Sequence, residues 1–179
     1  MSKRLLILGF CFVILVGSLL ACGESSNNTG TATNTGSSSS GSTPTAAPAQ
    51  HFKIGQTVKV GDTWQIVVDS AKTSTGSEFN KPQKSGDVFL IITVSMKNLS
   101  NQEQDASSLL QWTLQDSTGQ KYTETIDSDA GSSPDGKVEA GMPLKGALAY
   151  EVPANMKSFT LAFEADITSS GETIWDITV

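Results

Sequence analysis

Cysteine, arginine and histidine are almost missing from this chain, and each shortage removes a class of chemistry. Its 179 residues hold two cysteines (Cys11 and Cys22), one arginine (Arg4) and one histidine (His51). Beyond Cys22 there is no thiol to form a disulfide, to act as a thiolate nucleophile or to ligate a metal. One histidine without cysteine leaves too few nitrogen and sulfur donors for zinc. A Ser–His–Asp hydrolase would have to be built on His51, which stands at a polar junction with nothing in the sequence to hold it against a nucleophile. Arginine supplies the planar fork that grips phosphate. Its absence after Arg4, with 18 acidic residues against 12 basic ones, speaks against nucleic acid, whose binding depends on neutralising phosphates. The same balance speaks against electrostatic adhesion to anionic lipid headgroups. No cofactor motif is present.

Long apolar runs are also scarce. The one that stands out extends from Leu5 to Leu20, behind Lys3 and Arg4. Its sixteen residues are fewer than the roughly twenty that a spanning helix needs. Basic start, apolar middle and small residue at the end make the layout of a secretory signal. The run closes as Leu19-Leu20-Ala21-Cys22, which resembles the bacterial lipobox. That resemblance implies transfer of diacylglycerol to the Cys22 thiol and cleavage before it. The expected location is then the outer face of the cytoplasmic membrane, held by lipid. Removing residues 1–21 takes away Lys3 and Arg4, so the mature chain would carry ten basic and eighteen acidic residues, a formal charge of −8.

Residues 23–50, GESSNNTGTATNTGSSSSGSTPTAAPAQ, carry one charge, Glu24, and no aromatic or large aliphatic residue. Such a stretch cannot offset the entropy of ordering by burial. As a coil it spans roughly 30 Å, and fully extended it reaches roughly 90–100 Å. The expected organisation is a signal peptide over 1–21, the lipidated Cys22 with a flexible linker over 22–51, and a folded domain over 52–179. A domain of that length buries about two thirds of its unfolded surface, enough for a core without disulfides.

From Phe52 onward apolar residues recur at period two, in short runs separated by turn formers. Trp64, Ile66 and Val68 share a face. Val88, Leu90, Ile92, Val94 and Met96 share another, and Phe89 and Ile91 make that strand apolar on both sides, which marks it as central. Leu110, Trp112 and Leu114 alternate with polar residues, as do Phe159, Leu161 and Phe163. Leu148, Tyr150 and Val152 form a further set, and Trp175, Ile177 and Val179 close the chain. No long helical period is present; residues 101–110 have room for a single turn of helix. These features predict an all-β fold, an antiparallel β-sandwich with the three tryptophans in its core.

Four stretches then carry a resemblance: IGQTVKVGDTWQIVVDSAK as an opening hairpin, GDVFLIITVSMKNLSNQEQD as a long central strand with an Asn-containing turn, LLQWTLQDSTGQKYTE as a strand–turn–strand unit with Gly119 and Tyr122, and GMPLKGALAYEVPANMKSFTLAFEA as a closing pair. Together they resemble a family of bacterial lipoproteins of unknown function with an immunoglobulin-like β-sandwich, similar to the fold of a secreted mycobacterial immunogenic protein. The resemblance implies a fold and no catalytic residues.

One polar stretch, ETIDSDAGSSPDGKVE over 124–139, is rich in carboxylates. Asp127, Asp129 and Asp135 are candidate calcium ligands. An EF-hand reading from Asp127 fails, because Ser132 stands where glycine is required and Val138 where glutamate is required. The alternative is a mobile acidic loop. A second long loop, from Thr73 to Ser85, lies either beside it or at the opposite end. The expected function is a non-catalytic binding or interaction module of the cell envelope, its partner a protein, a glycan or a small ligand. An accessory or stress-related subunit of an envelope enzyme or transporter is the alternative, and a hydrolase comes third.

Overall fold

The computed structural model describes residues 50–127, 129–165 and 172–179. The signal segment, Cys22 and the linker as far as residue 49 lie outside the described residues.

Among the described residues eleven strands and one helical turn follow in order: β1 His51–Lys53, β2 Thr57–Val60, β3 Trp64–Ser74, β4 Asp87–Asn98, β5 Gln104–Ala106, α1 Ser108–Gln111, β6 Trp112–Asp116, β7 Lys121–Tyr122, β8 Gly136–Val138, β9 Pro143–Pro153, β10 Ser158–Phe163 and β11 Thr173–Thr178. One sheet runs β1-β11-β10-β6-β7 and the other β2-β3-β4-β9, with β5 and β8 paired as a separate ribbon. The pairings are antiparallel except β1 with β11, which are parallel. The fold is a β-sandwich, as the period-two pattern predicts.

The core lies between the two sheets because each strand puts alternate residues inward. Ile66, Val68, Leu90, Ile92, Val94, Leu148 and Val152 of one sheet meet Trp112, Leu114, Phe159, Leu161, Phe163, Trp175 and Ile177 of the other. Trp64, Trp112 and Trp175 are all buried, which confirms the core role expected of them. Trp112 sits 4.8 Å from Phe163 and 5.9 Å from Trp175 between ring centres, both tilted. Fully burying a large apolar side chain contributes about 1.5–3 kcal/mol, so this cluster dominates the fold.

Three departures from simple alternation matter. A bulge between Val68 and Ser70 shifts the register of β3 on β4, so Ala71 packs inward in place of Ser70. The extra residue, Asp69, accepts from Ser95 Oγ at 2.7 Å and pairs with Lys145 Nζ at 3.1 Å. Leu110, expected inward with Trp112, instead lies exposed on α1. The helical turn moves it out of strand phase, and the Gln111 side chain fixes that turn by accepting from Ser107 N at 2.9 Å.

The third departure is a second, smaller core of Phe89, Ile91 and Ala147, with Ala130 against it. These residues alternate with Leu90, Ile92 and Leu148, so they lie on the outer face of the sheet. The acidic stretch, expected as a loop, runs along β9: Thr125 N donates to Ala149 O at 2.8 Å and Ala147 N to Ser132 O at 2.9 Å. Glu124 bridges Tyr150 in the same way. Residues 124–127 and 129–135 therefore act as a strap that occupies the otherwise open edge of β9.

Candidate functional site

The strap and the loop before β4 come together. Asn80 Nδ2 donates to Asp127 Oδ1 at 2.8 Å, and Asp129 N donates to the same oxygen at 2.9 Å. Asp127 is buried by these contacts, whereas Asp129 and Asp135 are exposed. The Asp135 carboxylate turns away to α1, accepting from Ser108 N at 2.5 Å and Ser108 Oγ at 3.1 Å. Of the three residues expected to hold calcium, Asp127 and Asp135 spend their carboxylates on separate structural contacts, and Asp129 joins the first of these through its backbone N–H. Among the described residues no group of three or more His, Cys, Asp or Glu side chains is placed to hold a metal ion.

His51 lies in β1, half-exposed, with Nδ1 2.7 Å from Asp176 Oδ1 on the neighbouring β11. The pair fastens the first strand to the last. Among the described residues no serine or threonine hydroxyl bonds to His51, so no nucleophile–base–acid row is assembled.

A cleft of about 620 Å³ opens where the start of β4, the end of β9 and the chain leaving β7 converge. Its charged lining is Lys84, Asp87, Lys121, Glu124 and Glu151, beside Tyr122, Gln83, Gln120 and Pro153. Glu151 is held by Lys84 N, which donates to its Oε1 at 2.7 Å, and Glu124 Oε1 accepts from Ser133 Oγ at 3.0 Å. The Tyr122 ring packs edge-on to Phe159, centres 6.0 Å apart.

Behind the cleft, Asp116 organises the turn into β7. Its Oδ1 accepts from Thr118 Oγ1 at 2.6 Å, Thr118 N at 2.8 Å and Gln120 N at 3.1 Å, and its Oδ2 from Tyr122 Oη at 2.7 Å. The bonds from Thr118 and Tyr122 hold the Asp116 carboxyl down at about 2. Burial, reinforced by Asp116, pushes the Tyr122 phenol up to about 12. Burial also raises Tyr150, with Glu124 adding to it. All three shifts run away from neutrality, whereas acid–base catalysis needs a group tuned toward it.

Asp116 and Asp127, which the sequence does not single out as buried, both are. A signal was available. Each accepts from the backbone N–H two residues on, the Asx-turn habit of aspartate, and Asp116 precedes a Thr-Gly turn.

The family model described as a domain of unknown function (DUF4352) matches residues 52–174. The chain belongs to the DUF4352 family. Its matched region begins one residue into β1 and takes in every side chain that lines the cleft. Among solved structures the DUF4352 sandwich is similar to a candidate lipoprotein, ycdA, of Bacillus subtilis (TM-score 0.57, 17% identity, 67% of this chain and 38% of ycdA). It is also similar to the yjhA protein of Bacillus subtilis (TM-score 0.54, 22% identity, 70% of this chain and 98% of yjhA). A third likeness is to MPT63, a secreted protein of Mycobacterium tuberculosis (TM-score 0.54, 13% identity, 75% of this chain and 100% of MPT63). The chain spans less than half the length of ycdA, and at these identities the likeness is one of fold. No curated protein matches the chain.

Proposed function

We propose that this DUF4352 protein is a non-catalytic binding module of the cell envelope, held by lipid on Cys22 at the outer face of the cytoplasmic membrane. The observation that carries the binding reading is the cleft, where charged side chains of both signs converge from three separate segments without an assembled catalytic row. Its volume falls in the range of small-ligand sites, roughly 300–1,000 Å³. The location rests on Lys3, Arg4, the apolar run and Leu19-Leu20-Ala21-Cys22. The description of ycdA as a candidate lipoprotein and of MPT63 as secreted fits the same location. The polar tether would carry the domain clear of the headgroups.

A photo-cross-linking residue at Thr123, exposed in the cleft, tests the reading on intact cells. Adducts should form from Thr123 and not from Thr57, exposed on β2. Equal labelling from both positions, or none from Thr123, would contradict it.

The accessory-subunit reading has one observation in its favour. Phe79 and Ile126 are 95% and 90% exposed, and they adjoin the two residues joined by the Asn80–Asp127 bond. Large apolar side chains presented this way are common at protein contacts. On that reading the Thr123 adducts would be weaker than adducts from position 79.

A further inference from the structure

We infer that the cleft takes a small zwitterion, a molecule carrying both an ammonium and a carboxylate; the inference rests on the reading of this domain as a binding module. Its basis is a set of opposite charges that share one cavity and leave each other unpaired. Lys84 and Lys121 are exposed, and Asp87, Glu124 and Glu151 are half-buried. Among the described residues no ion pair joins either lysine to any of the three carboxylates. Elsewhere on this surface lysines do find acids: Lys59 with Asp62 at 3.1 Å, Lys137 with Glu103 at 2.6 Å, Lys145 with Asp69 at 3.1 Å.

The two signs are presented differently. Glu151 and Glu124 are held in place by Lys84 N and Ser133 Oγ. Lys84 and Lys121 sit on flexible stems that can swing onto a ligand. Glu151 would receive the ammonium, since the second oxygen of Glu124 is buried, and the mobile lysine ammonium groups would close on the carboxylate. Tyr122, its hydroxyl committed to Asp116 and its ring packed on Phe159, forms a rigid part of the wall between them.

Charge decides between ligand classes. A purely anionic ligand would face three carboxylates, and a cation would face two lysines. A bare metal ion lacks a ligand set among the described residues. A neutral glycan would cover these charges without pairing them, which costs free energy, and the three tryptophans that would stack on a sugar are buried in the core. A zwitterion compensates both signs at once through charge-assisted hydrogen bonds. The chemistry is shared by free amino acids and by short peptides with free ends.

The test uses the ¹⁵N-labelled full chain in detergent, titrated with alanine, trialanine, N-acetyl-trialanine, trialanine amide and N-acetylglucosamine. Trialanine, alanine or both should move the amides of residues 83–87, 120–125 and 151. Affinity should exceed that of each blocked peptide by about tenfold, the worth of one charge-assisted bond. A response to alanine identifies a free amino acid as sufficient, and a response to trialanine alone identifies a peptide; either upholds the inference. Lys84→Met with Lys121→Met, both exposed and harmless to the core, should abolish the preference for trialanine over its amide. Glu151→Gln should abolish the preference over the acetylated form. Cleft amides that stay still with both zwitterions in the millimolar range, or blocked peptides that bind equally well, would overturn it. Cleft shifts with N-acetylglucosamine alone would overturn the zwitterion while leaving a binding module in place; failure of cross-linking at Thr123 strikes the binding reading itself.

Discussion

Asn98 is fully buried, and its amide is spent within the protein. Nδ2 donates to Gln102 O at 2.7 Å and Val138 O at 2.9 Å, and Oδ1 accepts from Ser100 N at 2.9 Å and Ser100 Oγ at 2.7 Å. One side chain thus ties the turn after β4 to β8, and the conspicuous asparagine of the sequence is structural. Gly146 has a comparable role through what it lacks. A Cβ there would stand 2.4 Å from Pro134 N and 2.7 Å from Ser133 C, both backbone atoms. Gly146→Ala gains about 0.4–1 kcal/mol by restricting the unfolded chain, but overpacking costs about 1–3 kcal/mol, so the loss wins. The melting temperature should fall by a few degrees and the Ala147 amide, bonded to Ser132, should exchange faster; an unchanged melt with unchanged exchange would show that the strap does not press on β9. Asp116 sets a pH dependence. Its folded-state value of about 2 lies below the ordinary 3.8, so the carboxylate contributes stability that is present above pH 3.8 and lost as the pH falls toward 2. Asp116→Asn should melt lower than the parent at pH 7, and the difference should close through that window. A difference constant from pH 7 to 2 would refute the assignment.

At the scale of elements, the strap changes the meaning of the acidic stretch. Asp127 binds Asn80 and Asp129 N, and Asp135 binds Ser108, so the carboxylates join segments of the protein. Millimolar Ca²⁺ should leave the melting curve of the full chain where it is; a rise that vanishes in Asp127→Asn with Asp129→Asn would mean that the three do gather on an ion. The strap also shows where the sequence could be read and where it could not. Trp64-Gln65-Ile66-Val67-Val68 and Phe159 to Phe163 alternate because one face is dry and the other wet, and that pattern survives translation into structure. β4 was readable as central because Phe89 and Ile91 are apolar opposite Leu90 and Ile92, yet nothing local reveals that Ala130 and the strap cover the second face. Leu110 kept strand phase in the sequence, while a helical turn closed by Gln111 carries it outward. The cleft was not legible, since Lys84, Lys121 and Glu151 come from distant segments and meet only through strand pairing. The parallel pairing of β1 with β11 depends likewise on contacts between the two ends of the domain.

At the scale of the molecule, a sandwich of the DUF4352 family stands behind a segment that would take it across the membrane and a tether that would hold it there. The parts agree physically. A core of buried aromatic and aliphatic side chains stabilises the domain without disulfides, and on the proposed reading residues 22–51 would serve as its tether. Stable attachment needs more than one acyl chain, which the proposed diacylglycerol on Cys22 would provide. The most direct test is the intact mass of the protein purified from the membranes of the cells that make it. The chain should begin at Cys22, lack residues 1–21 and carry the added mass of a diacylglyceryl group, and Cys22→Ser should abolish both the added mass and membrane retention. A chain that retains Met1, or that carries a free Cys22 thiol, would contradict it.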